Sequence, residues 1–115
     1  MLTVYGIPNC DTIKKAITAL KENQLPFTFH DYKKHGISHE KLTLWLTQQP
    51  KETLINRAGT TWKQLSDEQK NAVQDNESAI ALMMEKPSVI KRPIVEKDGK
   101  IVAVGWKPDT LASIA

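Results

Sequence analysis

Leu2-Thr3-Val4-Tyr5-Gly6-Ile7-Pro8-Asn9-Cys10-Asp11-Thr12-Ile13-Lys14-Lys15-Ala16-Ile17 is the stretch on which the fold turns. Leu2 to Tyr5 alternates apolar and polar and stops at Gly6, the pattern of a short strand ending at a permissive backbone position. A turn, Ile7-Pro8-Asn9-Cys10, follows. From Asp11 onward Ile13, Ala16, Ile17 and Leu20 recur at helical spacing, with Asn9, Asp11 or Thr12 available to cap the start and Asn23 near the end. After Leu25-Pro26 the run Phe27-Thr28-Phe29-His30-Asp31-Tyr32 alternates again, which predicts a second strand with Phe27 and Phe29 on one side. Strand, helix and strand so closely spaced form a βαβ unit, parallel and right-handed.

Outward from this unit the pattern changes. Between His39 and Glu85 helical spacing dominates and no strand is predicted: Leu42, Trp45 and Leu46 share a face, Thr60 or Thr61 caps a short helix carrying Trp62 and Leu65, Ser66 or Asp67 starts the next, and Asp75 or Asn76 begins one that places Ala79, Leu82 and Met83 in register before Pro87. Extended structure then returns at Ile94-Val95-Glu96 and Ile101-Val102-Ala103-Val104. Asp98-Gly99 between them suits a two-residue hairpin turn. Pro108-Asp109-Thr110-Leu111 reads as the start of a last helix, with proline in its first turn. The expectation is an α/β fold with a mixed four-stranded sheet, flanking helices and a helical insertion over about residues 39–86 of a single domain, 1–115.

The composition is that of an ordinary globular chain: 40% hydrophobic and 25% charged residues, with no low-complexity tract. The formal charge of +3 is spread among acids and apolar residues, so it implies a mild preference for anions and no nucleic-acid binding. No apolar run approaches the ~18 residues of a membrane span and no leader pattern precedes Leu2, so a cytoplasmic protein, a monomer, is expected. His30, His35 and His39 lack the partner spacing of a metal site, and none is expected. Trp45, Trp62 and Trp106 are expected to fill core or pocket walls, and Met83-Met84 to pack a helix.

Cys10 is the one cysteine. No intramolecular disulfide can form, so redox chemistry must borrow a second thiol. Its place between a strand turn and a helix start sets it among N–H groups that lack intrahelical partners, where the helix dipole favours an anion. Thiols held at helix N-termini ionise at roughly pH 3.5–7.5 rather than about 8.5. Cys10 is therefore a candidate nucleophile, and Lys14, one turn on, can add positive charge. Asn9 either positions the sulfur or caps the helix.

The run Tyr5-Gly6-Ile7-Pro8-Asn9-Cys10-Asp11-Thr12-Ile13-Lys14-Lys15-Ala16 resembles the N-terminal signature of the ArsC/Spx-like family of arsenate reductase relatives. The likeness continues through Asn56-Arg57-Ala58-Gly59-Thr60-Thr61-Trp62, Leu82-Met83 and Ile90-Lys91-Arg92-Pro93-Ile94, and is strongest to the YffB-like branch of glutathione-dependent thiol reductases. It implies a thioredoxin-like fold with an inserted helical subdomain, glutathione as co-substrate without a tightly bound cofactor, and a small oxidised or anionic substrate. Catalytic roles are implied for Cys10, Arg57 and Arg92, with Asn9, Lys14, Pro93 and Lys107 at the substrate. A guanidinium keeps its charge and matches a carboxylate or tetrahedral oxyanion with two donors. Arg57 and Arg92 are the only arginines among sixteen basic residues. The resemblance further places a cis proline at Pro93.

Three departures from the family pattern bear on the reaction. Lys107 stands where arsenate reductases of the family present a third arginine, no histidine shortly precedes Cys10, and Cys10-Asp11-Thr12-Ile13 lacks the second cysteine of the transcription-regulator branch. A thiol oxidoreductase working through a mixed disulfide is the expectation. Glutathione-coupled arsenate reduction and a non-enzymatic protein-binding module are its rivals.

Overall fold

The computed structural model describes residues 1–114. The chain divides into two compact units: Met1–His35 together with the residues from Arg92 on, and Gly36–Lys91.

The first unit is built on a four-stranded sheet. Strand β1 (Leu2–Gly6) leads through the Cys10 turn into helix α1 (Asp11–Glu22), and the chain returns as β2 (Phe27–Asp31), parallel to β1 with Leu2 opposite Phe27 and Gly6 opposite Asp31. Strands β3 (Ile94–Lys97) and β4 (Lys100–Val104) form an antiparallel hairpin, and β3 lies antiparallel to β1 with Tyr5 opposite Ile94. The order across the sheet is β2-β1-β3-β4. Asp98 and Gly99 have φ of 52° and 83°, the left-handed pair that a two-residue turn between twisted strands requires.

Alternation along these strands divides the sheet's two faces. Leu2, Val4 and Val95 face one way and form a core with Leu20 of α1 and Ile114, against which Phe27, Phe29, Trp106 and Leu111 pack. On the other face are Tyr5 and Glu96, both buried, with the Tyr5 hydroxyl donating to Glu96 Oε1 at 2.9 Å.

Close approach of β1 to α1 explains Gly6. A Cβ there would lie 2.9 Å from Ile13 Cγ1 and closer still to Ile13 Cδ1, and Ile13 is fully buried. Gly6→Ala is expected to destabilise the protein by about 1–3 kcal/mol in urea denaturation, because a packed β-branched side chain has no free rotamer to yield into. An unchanged midpoint would mean that α1 shifts freely against the strand.

The second unit is helical. It contains α3 (His39–Leu46), α4 (Lys51–Leu54), α5 (Thr60–Lys63), α6 (Asp67–Asn71) and α7 (Asn76–Glu85), followed by a 3-10 turn at Pro87–Val89. A four-residue helix of the sheet unit, α2 (Tyr32–His35), precedes them. Helix α3 packs against α7, and both α5 and α7 meet the 3-10 turn. Leu42, Trp45 and Met83 have no solvent exposure. Side-chain caps start three of these helices: Ser38 accepts from Lys41 N–H at 3.1 Å, Ser66 and Gln69 cap reciprocally, and Asp75 does the same with Ser78. The Ser78 backbone N–H and hydroxyl hold the Asp75 carboxyl below its ordinary range.

Five local expectations are corrected. Asn9, Asp11 and Thr12 do not cap α1; Cys10 itself occupies the cap position, with backbone in the extended region. Tyr32 leaves β2 and opens α2, since the Lys33 N–H is taken by the Asp31 carboxylate at 2.8 Å in a local turn. Gly59, not a threonine, is the cap of α5, and that helix ends before Leu65. The last helix, α8 (Thr110–Ile114), begins two residues after Pro108, because Lys107 N–H donates to the Thr110 hydroxyl and Thr110 N–H returns to the Lys107 carbonyl. Met83 is buried but Met84 is 44% exposed, since the buried face of α7 runs through Ala79, Ile80, Leu82 and Met83 and Met84 lies one step further round the helix.

Candidate active site

Cys10 sits where the β1 strand has ended and α1 has not yet begun. Its carbonyl accepts the first intrahelical bond, from Lys14 N–H at 3.0 Å, while its own φ and ψ of −111° and 128° are those of a cap residue. At most caps an oxygen of Ser, Thr, Asp or Asn accepts from the N–H groups of the first turn. Here no side chain caps the helix, and a partly exposed sulfur stands in that position. A thiolate there meets the donors that an oxygen would otherwise take, and the positive end of a twelve-residue helix.

The sheet register gathers further groups at the same end of the molecule. Gly6, the last residue of β1, lies beside Asp31 at the end of β2. On its other side Tyr5 pairs with Ile94, so the Arg92–Pro93 bond, which is cis, falls just beyond that pairing, beside the end of β1 from which the Cys10 turn departs. Gly105 N–H donates to the Pro93 carbonyl at 2.8 Å, which ties the exit of β4 to the same place and brings Trp106 and Lys107 after it. Parallel strands present their carboxyl ends as the usual seat of a ligand in open α/β sheets.

Of the residues expected at the site, Cys10, Asn9, Lys14, Arg92, Pro93 and Lys107 thus emerge at one end of the sheet. Pro93 is buried, Arg92 half-buried, and Asn9, Lys14 and Lys107 exposed. Asn9 loses its capping role, as described above. Arg57 belongs to the helical unit, where its guanidinium stacks over Trp62 at 5.3 Å from the ring centroid. Stacking of this kind holds a guanidinium against the ring face.

The sequence reading missed two groups at this end of the sheet. Tyr5, His30, Tyr32 and His35 form a chain of ring contacts with centroids 4.9 to 6.3 Å apart. Alternation in β2 could have paired His30 with Tyr5 across the strands, but the turn to α2 that swings Tyr32 and His35 into the cluster left no periodic trace. The second is charge placement. The sheet unit carries nine Lys and Arg against six Asp and Glu, and the helical unit seven against seven, so the entire formal excess of +3 belongs to the unit holding Cys10. Lys33 and Lys34 follow β2, Lys107 follows β4, Arg92 precedes β3, and Lys14 and Lys15 lie in the opening turns of α1 after Cys10.

Among the described residues no group of three or more His, Cys, Asp or Glu could hold a metal ion, and no helix is long and apolar enough to cross a membrane.

Comparison with known proteins adds four likenesses. The model of the ArsC family matches residues 5–114. A YFFB protein of solved structure superposes with a TM-score of 0.90 at 46% sequence identity, covering 98% of this chain and 97% of its own. An arsenate reductase (ArsC) related protein from Brucella melitensis superposes with a TM-score of 0.78, also at 46% identity, over 97% of this chain and 92% of its own. The global transcriptional regulator Spx of Enterococcus faecalis is 29% identical over 114 residues, 96% of this chain and 83% of the regulator. The fold is thioredoxin-like, with a four-stranded mixed sheet.

Proposed function

Since the chain belongs to the ArsC family, we propose that it is a glutathione-dependent thiol oxidoreductase in which Cys10 is the only sulfur that turns over. The observation that carries this reading is the uncapped helix start occupied by a partly exposed cysteine. In the reaction the Cys10 thiolate attacks the glutathione sulfur of a mixed disulfide. The Cys10–glutathione disulfide forms and the substrate thiolate leaves, taking a proton from solvent. A second glutathione thiolate then attacks the bound glutathione sulfur, releasing glutathione disulfide and restoring Cys10. One glutathione thiol is oxidised as the one substrate sulfur is reduced, while the glutathionyl sulfur of the original bond stays at the disulfide level, so the net change is exchange of the substrate thiol for glutathione in the disulfide.

Arg92 and Lys107 orient the carboxylates of glutathione or an anionic substrate, and Lys14 adds charge at the helix start. Asn9 and Pro93 border the sulfur. The protein acts in the cytoplasm as a monomer on this reading. Mixing the reduced protein with glutathione disulfide and measuring intact mass is the direct test: one glutathione adduct on the wild type, removed by excess glutathione, is expected. A chain that takes no adduct, or keeps it in excess glutathione, sinks the proposal. Arsenate turnover with glutathione under the same conditions is expected to be far slower, because Lys107 lacks a guanidinium's planar fork.

The charge placement makes a further prediction. Approach of an anionic disulfide to Cys10 is steered by the surrounding lysines, so its kcat/KM is expected to fall severalfold as salt rises from about 0.02 to about 0.3 M, where the screening length drops below about 10 Å. Cystamine, a cationic disulfide, is expected to show no such fall. Equal salt responses would show that the excess charge plays no part in encounter.

The likeness to Spx favours a second reading, a protein-binding module that uses the fold as a surface. Pull-down of RNA polymerase subunits, unchanged by Cys10→Ser, would support it over the enzyme.

A further inference from the structure

Tyr32 stands at the first position after β2, beside the strand ends from which the Cys10 turn and Arg92 emerge. The residue is only 3% exposed, and its hydroxyl oxygen is sealed from solvent without any hydrogen-bond partner. Among the described residues it is the one buried side-chain oxygen or nitrogen in this condition. Burying a hydroxyl unpaired is costly, and phenylalanine would fill the same space without that cost. Native chains rarely retain such a group unless something else supplies its partner.

We infer that the Tyr32 hydroxyl is a hydrogen-bond donor to the anionic group, carboxylate or oxyanion, that Arg92 attracts. The inference rests on the reading of Arg92 as an anion-binding residue given above. Ring contacts place Tyr32 6.3 Å from Tyr5 and 5.9 Å from His30, so its position is held from two strands. Of the groups around it, Tyr5 already gives its hydroxyl to Glu96 at 2.9 Å, and Glu96 is buried. Burial pushes the Tyr32 phenol well above its ordinary range; Tyr5 and Glu96 push the same way, and Arg92 alone opposes them. The hydroxyl therefore keeps its proton and remains a donor at any working pH. Arg92 is half-buried, its charge reaching Tyr32 while part of the residue remains open to solvent.

The two contacts differ in kind. Arg92 supplies charge, which any anion can use; Tyr32 supplies one neutral donor in a fixed place, which only an acceptor of the right reach can use. Tyr32 thus sets specificity within the class of anions that Arg92 admits.

Inorganic sulfate is the probe, titrated calorimetrically into the wild type, Tyr32→Phe and Arg92→Ala, with thermal midpoints measured without sulfate. Tyr32→Phe is expected to weaken sulfate binding at least about fivefold while its midpoint stays level or rises, because a hydroxyl without a partner is being removed. Arg92→Ala is expected to lose more than about tenfold. Sulfate binding by Tyr32→Phe equal to the wild type, with Arg92→Ala impaired, overturns the tyrosine assignment and leaves the arginine reading standing. A midpoint lowered by several degrees in Tyr32→Phe also overturns it, since the hydroxyl would then already be bonded in the free protein. Sulfate binding untouched by Arg92→Ala, or none in the wild type, overturns the anion reading and this inference with it.

Discussion

Cys10→Ser is expected to lower glutathione mixed-disulfide turnover by at least about a thousandfold while leaving the fold as stable as before, or more so. A serine hydroxyl does not ionise near neutrality and forms no disulfide, and no other sulfur nucleophile exists in the chain, since its three methionines carry only thioethers. Stability runs the other way. Cys10 is partly exposed and makes no capping bond, whereas serine is among the preferred cap residues and is worth up to about 1 kcal/mol over a residue that cannot cap. The two readouts belong on one preparation: steady-state turnover, and the midpoint of urea unfolding. Residual activity above about one per cent of the wild type would mean that the chemistry lies elsewhere.

Trp45→Ala carries the largest expected loss of stability. The indole has no solvent exposure and heads the fully buried side chains by volume, on α3 where that helix packs against α7. Removing it leaves a cavity that the surrounding side chains fill only in part, for a cost of about 3–5 kcal/mol. Urea unfolding of the variant should show that loss at the midpoint. A cost below about 1 kcal/mol would mean that the helical unit collapses into the space, and that its packing is looser than the buried positions indicate.

The elements that sequence reveals best are those whose pattern is local. Ile13, Ala16 and Leu20 recur along α1 because one face of it is buried, and Asp98-Gly99 announces its turn because few other pairs accept two positive φ angles. The boundary errors arise where short-range bonds compete with periodicity: Asp31 diverts Tyr32 out of the strand, and the exchange between Lys107 and Thr110 delays the last helix. Cys10 was legible from its place between strand and helix. Its becoming the cap was less so, because Asn9, Asp11 and Thr12 are all better capping residues by type. Tyr32 was not legible as a functional residue at all. In the sequence it completes an alternating run, and only three-dimensional packing shows that its hydroxyl has been enclosed with nothing to bond.

Strand β1 occupies an inner position, with β2 on one side and β3 on the other. Its first neighbour arrives within the opening βαβ unit, but the second lies 91 residues away along the chain, as the Tyr5–Glu96 bond measures. During synthesis, therefore, a nascent chain can complete the β1–β2 ribbon long before β3 leaves the ribosome, and in that interval one backbone edge of β1 is open to any extended segment that comes near. The helical segment is made during the same interval and can fold on local contacts. Closure of the sheet, and with it the arrival of Arg92 beside the cysteine turn, is a late event of biogenesis, so a chain interrupted before Arg92 carries Cys10 without that arginine and without the two strands that follow it.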